Sequence, residues 1–276
     1  MERQLRQIIT FSCGTDLLAG TLDAADGATG LLIVSGGNEI RSGAYAGQAS
    51  MAQHLSAMGI PVFRFDRRGV GDSEGVNLGF AHNAEDIDAA VSTFRHVAPQ
   101  LKRLVAFGNC DAATALLLHT QGPQFDGLML ANPWTIDATA ENEAASAPSA
   151  SVVRARYWTR IKNPRSLLDL LSGKINLRKL AIGLRTAAKP VQPSLLTHRL
   201  ADAMAQVDVP LCVAIAERDM TALAFMAEWN SSAFDHVRRQ PNIALATYST
   251  ASHSFADCAA RAWLYAQIVG FIKQLG

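Results

Sequence analysis

The sequence predicts an α/β protein: a mostly parallel sheet of about eight strands, helices on both faces, and a helical lid insertion. Three observations carry this. Short apolar runs alternate with stretches of helical length and composition. The runs at 31–34, 105–107 and 127–131 are apolar throughout, as strands covered on both faces must be. The rhythm then stops between residues 134 and 206, a stretch too long for a loop in a compact domain.

Taken in order, residues 8–11 and 17–22 read as an antiparallel hairpin at one sheet edge. Residues 31–34 form the next strand, 46–58 a helix, 60–65 a strand and 83–97 a second helix. Residues 105–107 run through Gly108-Asn109-Cys110-Asp111 into 112–118, a stretch of Ala, Thr and Leu that reads as a buried helix. Strands at 127–131, 209–215 and 243–248 complete the sheet. The expected organisation is a core of residues 1–134 and 207–276 interrupted by a lid at 135–206, with helices of its own at 157–171 and 177–187.

A chain of 276 residues with 49% hydrophobic residues has ample material for a core, and a net charge of +1 gives no overall pull toward nucleic acid or anionic membrane. The charged opening residues lead into no apolar stretch, and no later apolar run approaches the ~18 residues of a membrane span. A cytoplasmic protein is expected. Its four cysteines, Cys13, Cys110, Cys212 and Cys258, lie far apart, which predicts reduced thiols and no zinc knuckle. No H-E-x-x-H or acidic calcium loop occurs, so neither metal nor cofactor is expected.

Of the four thiols, Cys110 alone falls on a predicted strand-to-helix turn. A nucleophile elbow throws one side chain out of such a turn, with small residues two before and two after it so that neighbouring backbone can pass. Gly108 and Ala112 occupy those positions. At the N-terminus of the following helix, the dipole and a nearby imidazolium favour the nucleophilic thiolate.

An elbow of this kind takes an acid and then a histidine from later in the chain. Strand 209–215 ends in Ala216-Glu217-Arg218-Asp219, and an acid just past a parallel strand faces the catalytic edge of the sheet. Asp219 is the expected acid, with Glu217 and Asp137 as substitutes. The last strand is followed by a loop of small residues carrying His253, the expected base. Donors for a developing oxyanion come from the backbone N–H after the nucleophile, Asp111, and from the glycine turn Ser35-Gly36-Gly37 after the third strand, where Gly37 is expected to serve. The glycine-containing segment 66–73 lacks the Gly-Lys-Ser/Thr ending of a phosphate loop and reads as a structural turn.

With these residues in place the chain resembles the α/β-hydrolase superfamily over nearly its whole length. The elbow at 108–112, the turn at 34–37 and the run at 65–75 are similar to exosortase A system-associated hydrolase 1, a family whose substrate the resemblance does not supply. It implies a Cys110-Asp219-His253 triad. Superfamily esterases mostly use serine, so cysteine here shifts the expectation toward thioesterases and acyltransferases working through an acyl-Cys110 intermediate. The alternative is a catalytically silent binding or carrier-protein interaction module of the same fold.

Between residues 151 and 190 ten Lys and Arg residues, Arg154 and Lys189 among them, face the single acid Asp169. A basic insertion on an acidic body suits an anionic substrate or partner, such as a coenzyme A ester or an acidic acyl carrier protein; a solvated charged face is the plainer alternative.

Overall fold

The computed structural model describes residues 6–119, 124–136 and 194–275. Its strands are β1 (Arg6–Cys13), β2 (Asp16–Asp23), β3 (Thr29–Val34), β4 (Val62–Phe65), β5 (Arg103–Asn109), β6 (Gly127–Ala131), β7 (Leu211–Ala216) and β8 (Ile243–Tyr248). They form one eight-stranded sheet in the order β1-β2-β4-β3-β5-β6-β7-β8. β1 and β2 make the expected antiparallel hairpin, β2 also runs antiparallel to β4, and every later pairing is parallel.

The apolar runs are explained by the period-two pleat, because both faces of the central strands are covered. Leu32 and Val34 of β3, Leu104 and Ala106 of β5, and Leu211, Val213 and Ile215 of β7 join one buried cluster. Their neighbours Leu31, Ile33, Val105, Phe107, Cys212 and Ala214 join a second cluster on the opposite face. Helices α2 (Ala84–Val97), α3 (Asp111–His119) and α5 (Met220–Trp229) supply the first layer, and α1 (Gly47–Ala57) and α6 (Cys258–Leu275) the second. This is the three-layer sandwich the sequence predicts.

Helix α4 (Leu195–Gln206) falls inside the segment assigned to the lid, yet it belongs to the first layer. Leu196, Leu200, Ala201 and Met204, spaced at helical period, are buried there beside α3. The Ser194 hydroxyl caps this helix by accepting from the Thr197 N–H at 3.1 Å. Residues 137–193 of the expected lid, with Asp137 and the basic stretch 151–190, lie outside the described residues.

The turn after β4 is structural, as expected. Buried Asp66 pairs with Arg41 and accepts from the Asp72 N–H at 3.1 Å. The Ser73 hydroxyl donates back to the Asp66 carbonyl at 2.6 Å. Among the described residues no helix is long and apolar enough to cross a membrane, and no three His, Cys, Asp or Glu side chains group so as to hold a metal ion.

Candidate active site

β5 ends at Asn109 and α3 begins at Asp111, so Cys110 makes the whole turn between them. It does so with φ at 62°, a left-handed conformation that is strained for a residue with a side chain and recurs at functional sites. Its N–H donates to the Ala131 carbonyl at 2.9 Å, and its own carbonyl accepts from the Trp134 N–H at 3.2 Å, so the loop after β6 holds the elbow in shape. The small flanking residues are used as expected. A Cβ on Gly108 would stand 2.8 Å from the backbone of Ala112 and Ala113, closer than atoms approach without displacement. Gly108→Ala is therefore expected to destabilise the protein by about 1–3 kcal/mol as an overpacked site, measured by urea denaturation.

Asp219 caps α5, its Oδ2 accepting from the Ala222 N–H at 3.0 Å. The same carboxylate is 2.9 Å from His253 Nδ1. Glu217, by contrast, is exposed on the surface. The histidine loop is held at both ends. The Thr250 hydroxyl donates to Asp257 at 2.7 Å, and Asp257 caps α6 by accepting from the Ala260 N–H at 2.9 Å. Phe255, next but one to the histidine, is buried and stacked on Trp263 at 5.7 Å.

Two asparagines unremarked in the sequence complete this frame. Asn132, fully buried just past β6, donates to the His253 carbonyl at 3.0 Å and to Asn109 Oδ1 at 3.1 Å, and accepts from the Ala216 N–H at 2.8 Å. Asn109 also donates to the His253 carbonyl, at 3.2 Å. The ends of β5, β6 and β7 are thus tied to the histidine loop by two amides. The one local signal was Asn132 itself, a residue tolerant of left-handed backbone placed directly after an apolar strand; its φ is 43°.

The loop after β3 reaches the elbow from the other side. The Gly37 N–H donates to both carboxylate oxygens of Asp111, at 2.7 and 2.9 Å. The loop approaches so closely that a Cβ on Gly36 would collide with Asp111 Oδ1. Behind it, Arg67 is 1% exposed and donates to the Gly37 carbonyl. Glu39 accepts from Gln48 at 2.8 Å, and Gln48 in turn accepts from the Ser35 hydroxyl at 2.8 Å.

The charges in the site act on one another. Hydrogen bonding to Asp219 first, and to Cys110 second, pushes the His253 imidazole up to about 10. Burial raises the Asp219 carboxyl, but His253 and the N–H groups of Ala222 and Met220 outweigh it and hold the group below its ordinary value. Burial pushes Glu39 up, with Asp111 adding to the rise and His253 opposing it. The other thiols differ in kind. Burial pushes Cys13 and Cys212 up to about 11, in keeping with thiols that serve as small apolar side chains.

Cys110, Asp219 and His253 are therefore brought together, with Asp111 and Gly37 alongside. All five lie beyond the C-terminal ends of parallel strands, the edge where sheets of this class bind ligands. This arrangement of backbone recurs widely. An esterase of Pyrococcus furiosus aligns with a TM-score of 0.66 at 14% identity, over 99% of this chain and 94% of that one. The alpha/beta hydrolase domain-containing protein 10 from mouse gives 0.60 at 14% identity, over 98% and 100%. A thioesterase domain from the curacin biosynthetic pathway gives 0.57 at 12% identity, over 96% and 99%. Such likenesses establish the α/β-hydrolase fold. No curated protein sequence matches the chain. Residues 28–256, from just before β3 to just past His253, match the hydrolase family described as serine aminopeptidase, S33, and the chain belongs to that family, with a cysteine at the turn between β5 and α3.

Proposed function

We propose that the protein is an acyl-transfer enzyme that works through a covalent acyl-Cys110 intermediate on an acyl thioester or activated ester. The observation that carries this reading is the contact chain Asp219 to His253 to Cys110 at a strained strand-to-helix turn. An imidazole raised to about 10 is protonated at neutral pH, and that proton is the one the leaving group receives.

Cys110 Sγ attacks the acyl carbon, and the carbonyl electron pair moves onto oxygen beside the Asp111 and Gly37 N–H groups. Collapse of that intermediate breaks the bond to the leaving thiolate or alkoxide, which takes the proton from His253. Acylation also removes the sulfur's hydrogen bond to the imidazole, one of the two leading causes of its raised proton affinity. The neutral ring then takes a proton from water or from an acceptor hydroxyl or amine. Attack by that oxygen or nitrogen releases the acyl product and returns Cys110 Sγ and the protonated imidazole to their starting state. Coenzyme A esters and acyl carrier proteins are the proposed donors, in keeping with the basic residues between 151 and 190.

Alkylation tests the nucleophile. With exposed Cys258 replaced by serine, iodoacetamide is expected to label Cys110 at one equivalent as thioester turnover disappears, and acyl donors are expected to slow the labelling. Full activity after stoichiometric labelling of Cys110 would refute the reading.

The pH dependence follows from His253. Single-turnover acylation should persist through neutral pH and fall as pH rises through about 10, where the imidazolium loses its proton. Asp219→Asn removes the leading cause of the raised affinity, so that fall should move to lower pH. The same group adds to folding stability fully below its ordinary value of 6.5, and the contribution fades as pH climbs through about 10.

A further inference from the structure

The Gly37 N–H expected to meet a substrate oxyanion already has an anion on it. Both oxygens of Asp111 accept from it, at 2.7 and 2.9 Å, and Gly36 lacks a side chain where one would push the carboxylate away. Arg67, buried on the far side of the loop, donates to the Gly37 carbonyl, and Asp111 is the foremost carboxylate acting on it. Arg67 makes no ion pair with Asp111, however, and among the described residues no Lys, Arg or His side chain lies within ion-pair distance of that carboxylate.

A carbonyl oxygen can enter this position only as the carboxylate leaves the Gly37 N–H. The carboxylate then stands beside an oxygen that is gaining negative charge, an unfavourable pairing of like charges. An unsubstituted acyl chain offers the displaced group nothing in return. An acyl group with a hydrogen-bond donor on the carbon next to its carbonyl replaces the lost N–H, and it does so within one bond of the reacting centre. Such a contact also holds the acyl group in a fixed orientation against the elbow.

We propose that the Asp111 side chain is a specificity-determining group, selecting acyl donors that carry a hydroxyl or ammonium on the carbon adjacent to the carbonyl. This rests on the acyl-transfer reading above and concerns the side chain, separate from the backbone N–H of the same residue.

The test measures binding where no turnover takes place. In a Cys110→Ala background, dissociation constants are determined by calorimetry for matched thioesters bearing hydrogen, hydroxyl or amine at that carbon. They are then repeated with Asp111→Asn and Asp111→Ala, each checked for cooperative unfolding. The expected result is a preference of about tenfold or more for at least one substituted donor, the size of a charge-assisted hydrogen bond. Both Asp111 variants should bring the ratio to within about threefold, chiefly through tighter binding of the unsubstituted donor. The hydroxyl and amine arms identify which donor is selected. Equal binding of all three donors, or a preference that survives both Asp111 variants, would overturn the proposal. Wild-type protein that forms no acyl adduct at Cys110, beside a Cys110→Ala protein that keeps this binding pattern, would sink the catalytic reading and leave the selectivity standing.

Discussion

Cys110→Ala is expected to lower kcat/KM for thioester cleavage by about a thousandfold or more, and His253→Ala to do nearly as much, because members of a triad act as a unit and their losses do not add. The double variant should be little worse than either single one. Stability should behave differently from activity. Cys110 is only partly buried and holds φ at 62°, so removing its thiol sacrifices little packing, and Cys110→Gly relieves backbone strain. Cys110→Gly is therefore expected to be inactive yet more stable than Cys110→Ala by about 1 kcal/mol, read from paired urea melts and initial rates. A glycine variant that keeps wild-type kcat/KM would remove Cys110 from the chemistry.

Asn132→Ala carries the second large effect, acting through the loop that holds His253. The fully buried amide satisfies the Ala216 N–H and donates to the His253 carbonyl and to Asn109. Truncation leaves an unpaired donor and two under-satisfied acceptors in an apolar setting, at a cost of about 2–4 kcal/mol. It also frees the loop that positions the imidazole. The expected signature is a fall in kcat of about tenfold or more with a smaller change in KM, beside the lowered denaturation midpoint. An Asn132→Ala protein that melts and turns over like wild type would mean that Asn109, Thr250, Phe255 and Asp257 hold the histidine loop without it.

These two residues mark how far the sequence could be read. Cys110 was legible because strand, glycine, turn and helix are adjacent in the chain, and a local pattern records a local geometry. The strands were legible because burial on both faces leaves runs without polar residues, as in Leu211–Ala216. Asp219 and His253 followed from the edge of the sheet on which parallel strands end. Asn132 was not legible, since its work is done by hydrogen bonds to residues 23, 84 and 121 positions away. The Asp111 carboxylate on the Gly37 N–H was missed for the same reason, the two being 74 positions apart. Helix α4 was placed in the lid because its neighbours in sequence break the strand-helix rhythm; only its contact with α3 reveals it as part of the first layer.

The account turns on a covalent acyl group at one sulfur, and intact-mass spectrometry after brief exposure to a panel of acyl thioesters tests that most directly. The expected result is a mass increase equal to the acyl group, mapped by peptide analysis to Cys110, absent in Cys110→Ala and slow to decay in His253→Ala. Product released by every donor without any adduct at Cys110, or no adduct and no product from any donor with both variants identical to wild type, would contradict it; the second outcome would leave the triad as the frame of a binding protein.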